Sequence, residues 1–280
     1  MIRNKGESGG NAISSVAQLK NAGRPTALLL GHPGHELRVY GWSRIERPSV
    51  FILTDGSGTT GISRLDRTTQ LISGIGAKRG SVYGRFTDLE IYEAMMDGHK
   101  ARFTQTVDDL ARAWVEDGIE VAASDASEGY NPTHDLCCEM AQAAAELVRR
   151  DTGRRIELYS FWLTEWEIPK KDDLPKGTLC VRLSDEVRDE KIRAAKSYTE
   201  LAEEVDRALT LMGPEYFRQE YLLPACADSS RDRTHKPCYE RFGEQRVAEG
   251  KYGTVLRYER HILPIFEALR EHVASSKLTR

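Results

Sequence analysis

The chain has 280 residues, of which 40% are hydrophobic and 30% charged, an ordinary composition for a soluble globular protein. Its formal net charge of -3 argues against a nucleic-acid binder, which normally carries a basic excess. Five cysteines do not indicate a disulfide framework, and no apolar run approaches the roughly 20 residues of a membrane helix. Because no signal-peptide pattern precedes residue 25, we expect a cytoplasmic protein without a membrane or nucleic-acid partner.

Strands and helices are predicted to alternate after an N-terminal arm at residues 1–25. The predicted strands cover residues 26–30, 49–54, 81–84, 119–124 and 156–162. The predicted helices cover residues 35–46, 63–75, 87–96, 100–116 and 134–150. This order is typical of a mostly parallel sheet with helices on both faces. We therefore predict an α/β fold, a Rossmann-like three-layer sandwich, for residues 26–165.

Residues 166–280 are predicted to form a C-terminal cap that packs on this core within a single domain. Their pattern indicates a short strand at 179–183, a long charged helix at 185–212 and a final helix at 252–275, interrupted at Pro264. The segment 221–237 is polar and irregular, which suggests a mobile loop near the mouth of a site.

Two loops at predicted strand ends carry histidines. The first strand runs into Gly-His-Pro-Gly-His-Glu at residues 31–36, which places His32 and His35 three residues apart. The strand at 119–124 is followed by Asp125 and, at the start of a helix, by His134. Because ligands bind at the carboxyl ends of parallel strands, these histidines can face one cleft. Taken alone, the pair His32 and His35 slightly favours a polar turn with solvated histidines, and a metal site needs a third partner.

Together the loops resemble the motifs of the PIG-L/LmbE-like deacetylase family. Residues 31–36 resemble its Ala-His-Pro-Asp-Asp-Glu motif, and Asn-Pro-Thr-His at residues 131–134 resembles its His-Pro-Asp-His motif. Between them, Phe-Ile-Leu-Thr-Asp-Gly at residues 51–56 resembles the second strand of the family and its Thr-Asp-Gly end. The resemblance spans residues 27–147 in the family's order, and it implies a metal-dependent hydrolase that removes N-acyl groups.

The resemblance also implies a mononuclear metal centre. The family holds zinc with the first His and second Asp of the first motif and the last His of the second, which are His32, His35 and His134 here. Three imidazoles suit zinc and leave a fourth position open. Because histidine also binds iron, copper and nickel, the exchange of Asp for His widens the choice of metal.

The general base of the family is missing, because Gly34 stands where the family has the first Asp. Asp55, Asp125 and Asp135 are candidate substitutes, since each lies beside a strand end or a predicted ligand. We also expect Gly34→Asp to create or increase hydrolysis, because it would return a carboxylate to this position.

Three further residues are candidates for substrate contact. Asn131 occupies the place of the family histidine that supports the oxyanion, and an amide can donate the same hydrogen bond. Arg67 is the loose match to a substrate-contacting arginine of the family, although a surface arginine is the alternative. Trp162 is a candidate aromatic wall for a sugar or flat ring, with core packing as the alternative.

The sequence leaves two alternatives to an N-acyl hydrolase with a small-molecule substrate. One is a repurposed metalloenzyme that catalyses a lyase, cyclase or redox step. The other is a non-catalytic protein that binds a metal or ligand. Because Gly34 replaces the usual general base, both alternatives stay open. The sequence also leaves open whether the protein is a homo-oligomer.

Overall fold

The computed structural model describes residues 23–58, 60–164, 174–225 and 236–278. Almost all of the predicted N-terminal arm, and residues 226–235 of the predicted mobile loop, lie outside the described residues. In the described part of the chain, no helix combines the length and the apolar character that crossing a membrane requires.

A seven-stranded sheet with the order β3-β2-β1-β4-β5-β7-β6 forms the centre of the molecule. Five strands run parallel: β1 (Thr26–Leu30), β2 (Ser49–Thr54), β3 (Lys78–Phe86), β4 (Val121–Asp125) and β5 (Glu157–Phe161). The sheet is completed by β7 (Gln219–Pro224), which is antiparallel to β5, and by β6 (Leu179–Arg182), which is antiparallel to β7. The predicted Rossmann-like α/β fold is confirmed, and the C-terminal third adds two strands to the same sheet.

Helices cover both faces of the sheet. They are α1 (Tyr40–Glu46), α2 (Leu65–Gly74), α3 (Asp88–Met96), α4 (Lys100–Glu116), α5 (Pro132–Thr152), α6 (Asp185–Ser197), α7 (Thr199–Met212), α8 (Cys238–Ala248) and α9 (Leu263–Ser275). Among the described residues they are accompanied by two 3-10 turns, His35–Val39 and Pro214–Arg218, and by one π-helical turn, Tyr258–Ile262.

Alternate residues of β1 enter two separate hydrophobic cores, because successive side chains of a strand point to opposite faces. Leu29 packs in the core that contains Trp114 of α4. Leu28 and Leu30 belong to the core on the other face, which contains Trp42 of α1. Both faces of β1 are thus covered, which explains its unbroken apolar sequence.

The site is placed by a change of direction in the strand order. β2 and β3 lie on one side of β1, whereas β4 and β5 lie on the other. The loops that follow β1 and β4 therefore leave the sheet in opposite directions and open a crevice between them. The loop after β1 carries His32 and His35, and the loop after β4 leads to His134.

The predicted helix over residues 185–212 is wrong, because the chain forms two helices that meet at Tyr198. This residue has an extended backbone, with φ -80° and ψ 105°. Its side chain is fully buried, and its hydroxyl donates to Glu36 at 2.5 Å. A tertiary contact thus breaks a segment whose sequence favours a continuous helix.

Two other C-terminal predictions also need correction. Residues 219–224 form strand β7, and Leu222 is fully buried, so this part of the predicted irregular segment is regular. Pro264 lies in the first turn of α9, where proline is well tolerated, and therefore does not interrupt that helix.

Candidate metal centre and its cavity

The three histidines singled out in the sequence lie together at the carboxyl edge of the sheet. The ring centroids of His32 and His35 are 5.3 Å apart, as are those of His32 and His134. The rings of His35 and His134 are closer, with centroids 4.7 Å apart. Each pair meets edge to face, so the imidazoles converge on one region.

His32 is held through one ring nitrogen. Its Nδ1 lies 2.8 Å from Oγ1 of Thr54 and 2.9 Å from Oδ1 of Asp88. Its Nε2 is buried and has no hydrogen-bond partner among the described residues. A carboxylate on one nitrogen and a bare second nitrogen is the usual arrangement of a metal-binding histidine. Burial opposes ionisation of Asp88, but the hydrogen bond from His32 lowers its pKa, so it stays a carboxylate.

His35 is held in the same way by Asp125. The Nδ1 of His35 lies 2.8 Å from Oδ2 of Asp125, which also accepts the backbone N–H of Gly31 at 2.8 Å. A proton on this nitrogen leaves the Nε2 lone pair available for a cation. The other oxygen, Oδ1 of Asp125, is buried without a partner in the described part of the chain. Burial raises the pKa of Asp125 to about 6.

His134 adds the third imidazole from the first turn of α5. Its Nδ1 is buried and lacks a partner within the described ranges. Burial, together with the neighbouring rings, lowers the pKa of both His35 and His134 well below the usual value. Both imidazoles are therefore neutral near pH 7, the form that binds a metal.

The site fits a divalent transition-metal ion. The donor atoms of His35, Asp125 and His134 all lie within 4.8 Å of one another. His32 stands beside them with its bare Nε2. Three imidazoles and one carboxylate are a donor set that zinc, iron and nickel accept. The sequence pointed to the three histidines as ligands, and the structure adds Asp125 to the candidate set.

Three residues expected to take part in catalysis are engaged elsewhere. Asp55 accepts the backbone N–H of Ser57 at 2.9 Å, and Asp135 accepts that of Gly129 at 3.0 Å. Asn131 is the N-cap of α5, where its Oδ1 accepts a backbone N–H at 2.8 Å. None of these three side chains lines the cavity described next. Their polar groups stabilise loops and a helix end, as Asp and Asn commonly do.

A cavity of about 330 Å³ extends from His35 and His134 towards the C-terminal third. Its aromatic wall consists of Tyr130, Phe161, Trp162, Tyr216, Phe217 and Tyr221. Trp162 thus borders the cavity, as a substrate wall would. Arg67 does not, because its guanidinium donates to the Ser197 carbonyl outside the cavity; Arg64, just before α2, lines it instead.

Two carboxylates line the cavity within the described ranges, Glu204 and Glu220. Glu220 is buried and forms a 2.8 Å ion pair with Lys191. It also accepts the backbone N–H groups of Gly41 and Trp42. Glu204, on α7, forms no hydrogen bond or ion pair with any described residue. Glu204 is therefore the carboxylate of the cavity that is free to act on a ligand.

Gly34 adopts a backbone conformation that requires glycine. Its φ is 102° and its ψ is -20°, a left-handed conformation displaced from the values of about φ +57° and ψ +47° that Asp adopts at times. A Cβ here would lie 3.3 Å from Cδ1 of Leu201 and 3.9 Å from Nη1 of Arg64. A side chain at position 34 would therefore strain a loop against which Leu201 of α7 and Arg64 pack.

Gly34→Asp is accordingly expected to destabilise the protein by about 1–3 kcal/mol through backbone strain, and not to increase hydrolysis. Thermal unfolding and activity assays measure both effects. Gly98→Asp is the matched control, because Gly98 has φ 66° and open space around it. Equal stability of the two variants, or a gain of activity in Gly34→Asp, would contradict this expectation.

Comparisons with known proteins do not show a family for this chain. No family model matches the chain, and no curated protein matches it in sequence. Among solved structures, the A40926 pseudoaglycone deacetylase Dbv21 is 17% identical, with a TM-score of 0.46, covering 71% of this chain and 96% of that one. A conserved protein of Thermus thermophilus is 15% identical, with a TM-score of 0.48, covering 76% and 99%. A zinc-inhibited form of teicoplanin deacetylase is 12% identical, with a TM-score of 0.41, covering 81% and 95%.

Proposed function

We propose that this protein is a metal-dependent hydrolase that removes an N-acyl group from a small molecule such as an amino sugar. The observation that carries the proposal is the convergence of three imidazoles and one carboxylate, with bare buried donor atoms, at one end of a cavity. The resemblance of residues 31–36 and 131–134 to the PIG-L/LmbE-like motifs supports the same reaction.

His32, His35, His134 and Asp125 would hold the metal, with zinc the first candidate and iron or nickel the alternatives. When bound, a divalent cation supplies Lewis acidity, which acidifies water and polarises a carbonyl group. The hydrogen bonds of Asp88 to His32 and of Asp125 to His35 fix the ring orientations.

Glu204 supplies the proton transfer that Gly34 cannot. Glu204 lies on the face of α7 that also presents Leu201 and Val205 to the cavity. Leu201 is the side chain nearest to the position of a Cβ on Gly34. A carboxylate one helical turn along α7 therefore lines the same cavity as Gly34. It takes a proton from the attacking water and returns it to the nitrogen when the C–N bond breaks, which leaves a carboxylate and an amine.

The test begins with protein purified without added metal. Elemental analysis is expected to find one transition-metal ion per chain. The metal-loaded protein is then assayed for release of free amine from N-acetylated amino sugars, before and after chelation. We expect hydrolysis that chelation abolishes and metal restores. Hydrolysis that is insensitive to chelation, or its absence from the metal-loaded protein, would overturn the proposal and favour a lyase, redox or binding role.

A further inference from the structure

Two guanidinium groups line the cavity beside the candidate metal centre. Arg38 follows His35 by three residues in a 3-10 turn, and residues three apart in such a turn lie on the same side. Arg64 approaches from the loop before α2, with Nη1 3.9 Å from the Cβ position of Gly34. Both side chains are half-buried and belong to the cavity wall.

Neither guanidinium is neutralised by a carboxylate of the described chain. Arg38 donates to the hydroxyl of Tyr216 at 3.2 Å and to the carbonyl of Leu163. Arg64 donates through Nε to the carbonyl of Gly56 at 2.6 Å. All these acceptors are neutral oxygens, which hold the side chains in place but leave their charge uncompensated.

The charges of the cavity do not balance. Lys191 and Glu220 cancel each other in their ion pair. Two arginines and one further carboxylate, Glu204, then remain in the cavity wall, and Glu204 pairs with no described cation. Half-buried cations without a counter-charge favour an anionic ligand.

We propose that the substrate carries an anionic oxygen group, a carboxylate or a phosphate, which binds Arg38 and Arg64 beside the acyl group that is removed. The planar fork of N–H donors on each guanidinium matches the geometry of both anions. The aromatic wall would contact the rest of the molecule, such as a sugar ring. This inference rests on the proposed function, which it extends from N-acyl compounds in general to acidic ones.

The test compares three probes that share an N-acetylated sugar: N-acetylglucosamine, its 6-phosphate, and N-acetylmuramic acid, which carries a carboxylate. Their affinity is measured by calorimetry on metal-loaded Glu204→Gln protein, which keeps both arginines. Because a hydrogen bond to a charged group contributes about 1.5–3 kcal/mol, one anion is expected to bind about 10- to 100-fold more tightly than the neutral sugar. The preferred probe identifies the anion as a phosphate or a carboxylate.

Arg38→Met and Arg64→Met, each made in that background, are expected to lose most of this preference while the affinity for the neutral sugar stays the same. Arg67→Met is the matched control, since Arg67 lies outside the cavity, and it should keep the preference. Equal binding of neutral and anionic probes, or a preference that survives both substitutions, would overturn the inference. Binding and turnover test the two proposals separately. If the protein prefers the anionic probe but the wild type hydrolyses no N-acyl compound, only the hydrolase proposal is rejected. If the wild type hydrolyses N-acyl compounds but shows no preference for the anionic probe, only the present inference is rejected.

Discussion

Replacing His134 with alanine is expected to lower the metal affinity by more than about 100-fold. Removing a residue that only hydrogen-bonds to a metal ligand typically lowers the metal affinity by about 10- to 100-fold. Because His134→Ala removes a proposed ligand itself, its effect should be larger. The imidazole is buried and its Nδ1 has no partner in the described residues, so no other hydrogen bond accounts for its position. Metal content after dialysis, together with titration by a competing chelator, measures the effect.

His99→Ala is the matched control, because His99 is exposed at the start of α4 and its side chain makes no capping hydrogen bond. It should keep the metal content of the wild type. Asp125→Ala and His32→Ala then test two further proposed ligands, each of which has a bare buried donor atom. Equal metal affinity in wild type and His134→Ala would show that the cluster does not bind the ion.

The histidine cluster could be predicted because its signals are local and strong. β1 contains an apolar run that ends at Leu30, directly before Gly31 and His32, and β4 ends in the polar residue Asp125. Parallel strands bring their carboxyl ends to one edge, so histidines that follow two such strands meet there. The same strength of pattern explains why α4 has the predicted bounds, Lys100–Glu116.

The partner of His32 was missed because β3 gives a weak signal. This edge strand reads Lys-Arg-Gly-Ser-Val-Tyr-Gly-Arg-Phe, and within it only Val82 and Phe86 are buried. The sequence therefore predicted a strand for only four of the nine residues of β3. As a result, it did not show that Asp88 lies just after the end of a strand. The capping box of Thr87 and Glu90 was the available clue, since it fixes the start of α3 at Asp88.

The role proposed for Glu204 of α7 could not be predicted from the sequence for a different reason. Residues 185–212 contain so many charges that their acidic residues resemble a solvated face. What turns Glu204 towards the cavity is the break at Tyr198, whose hydroxyl reaches Glu36 across 162 positions of the chain. A contact between such distant positions leaves no local pattern. Arg64 and Arg67 illustrate the same limit, because only the loop geometry separates the arginine in the cavity from the one outside it.

Glu204→Gln is expected to lower kcat for N-acyl hydrolysis by about 10²- to 10⁴-fold, because it removes the group that moves the proton. The amide keeps the size of the side chain, so folding and metal content should change little. Glu203→Gln is the matched control, since its carboxylate is exposed on the same helix. Steady-state rates with metal-loaded proteins measure the difference.

Chemical rescue separates a proton-transfer role from a structural one. Glu204→Ala opens space at the cavity wall, so added formate or azide can enter and accept the proton in place of the missing carboxylate. We expect either anion to restore part of the lost rate in Glu204→Ala, and to leave Glu204→Gln, which keeps its full side chain, unchanged. A Glu204→Gln enzyme with wild-type kcat would show that the base lies elsewhere. Asp125→Asn, assayed at full metal occupancy, would then be the variant to compare, because Asp125 is the remaining carboxylate with a bare buried oxygen at the candidate metal centre.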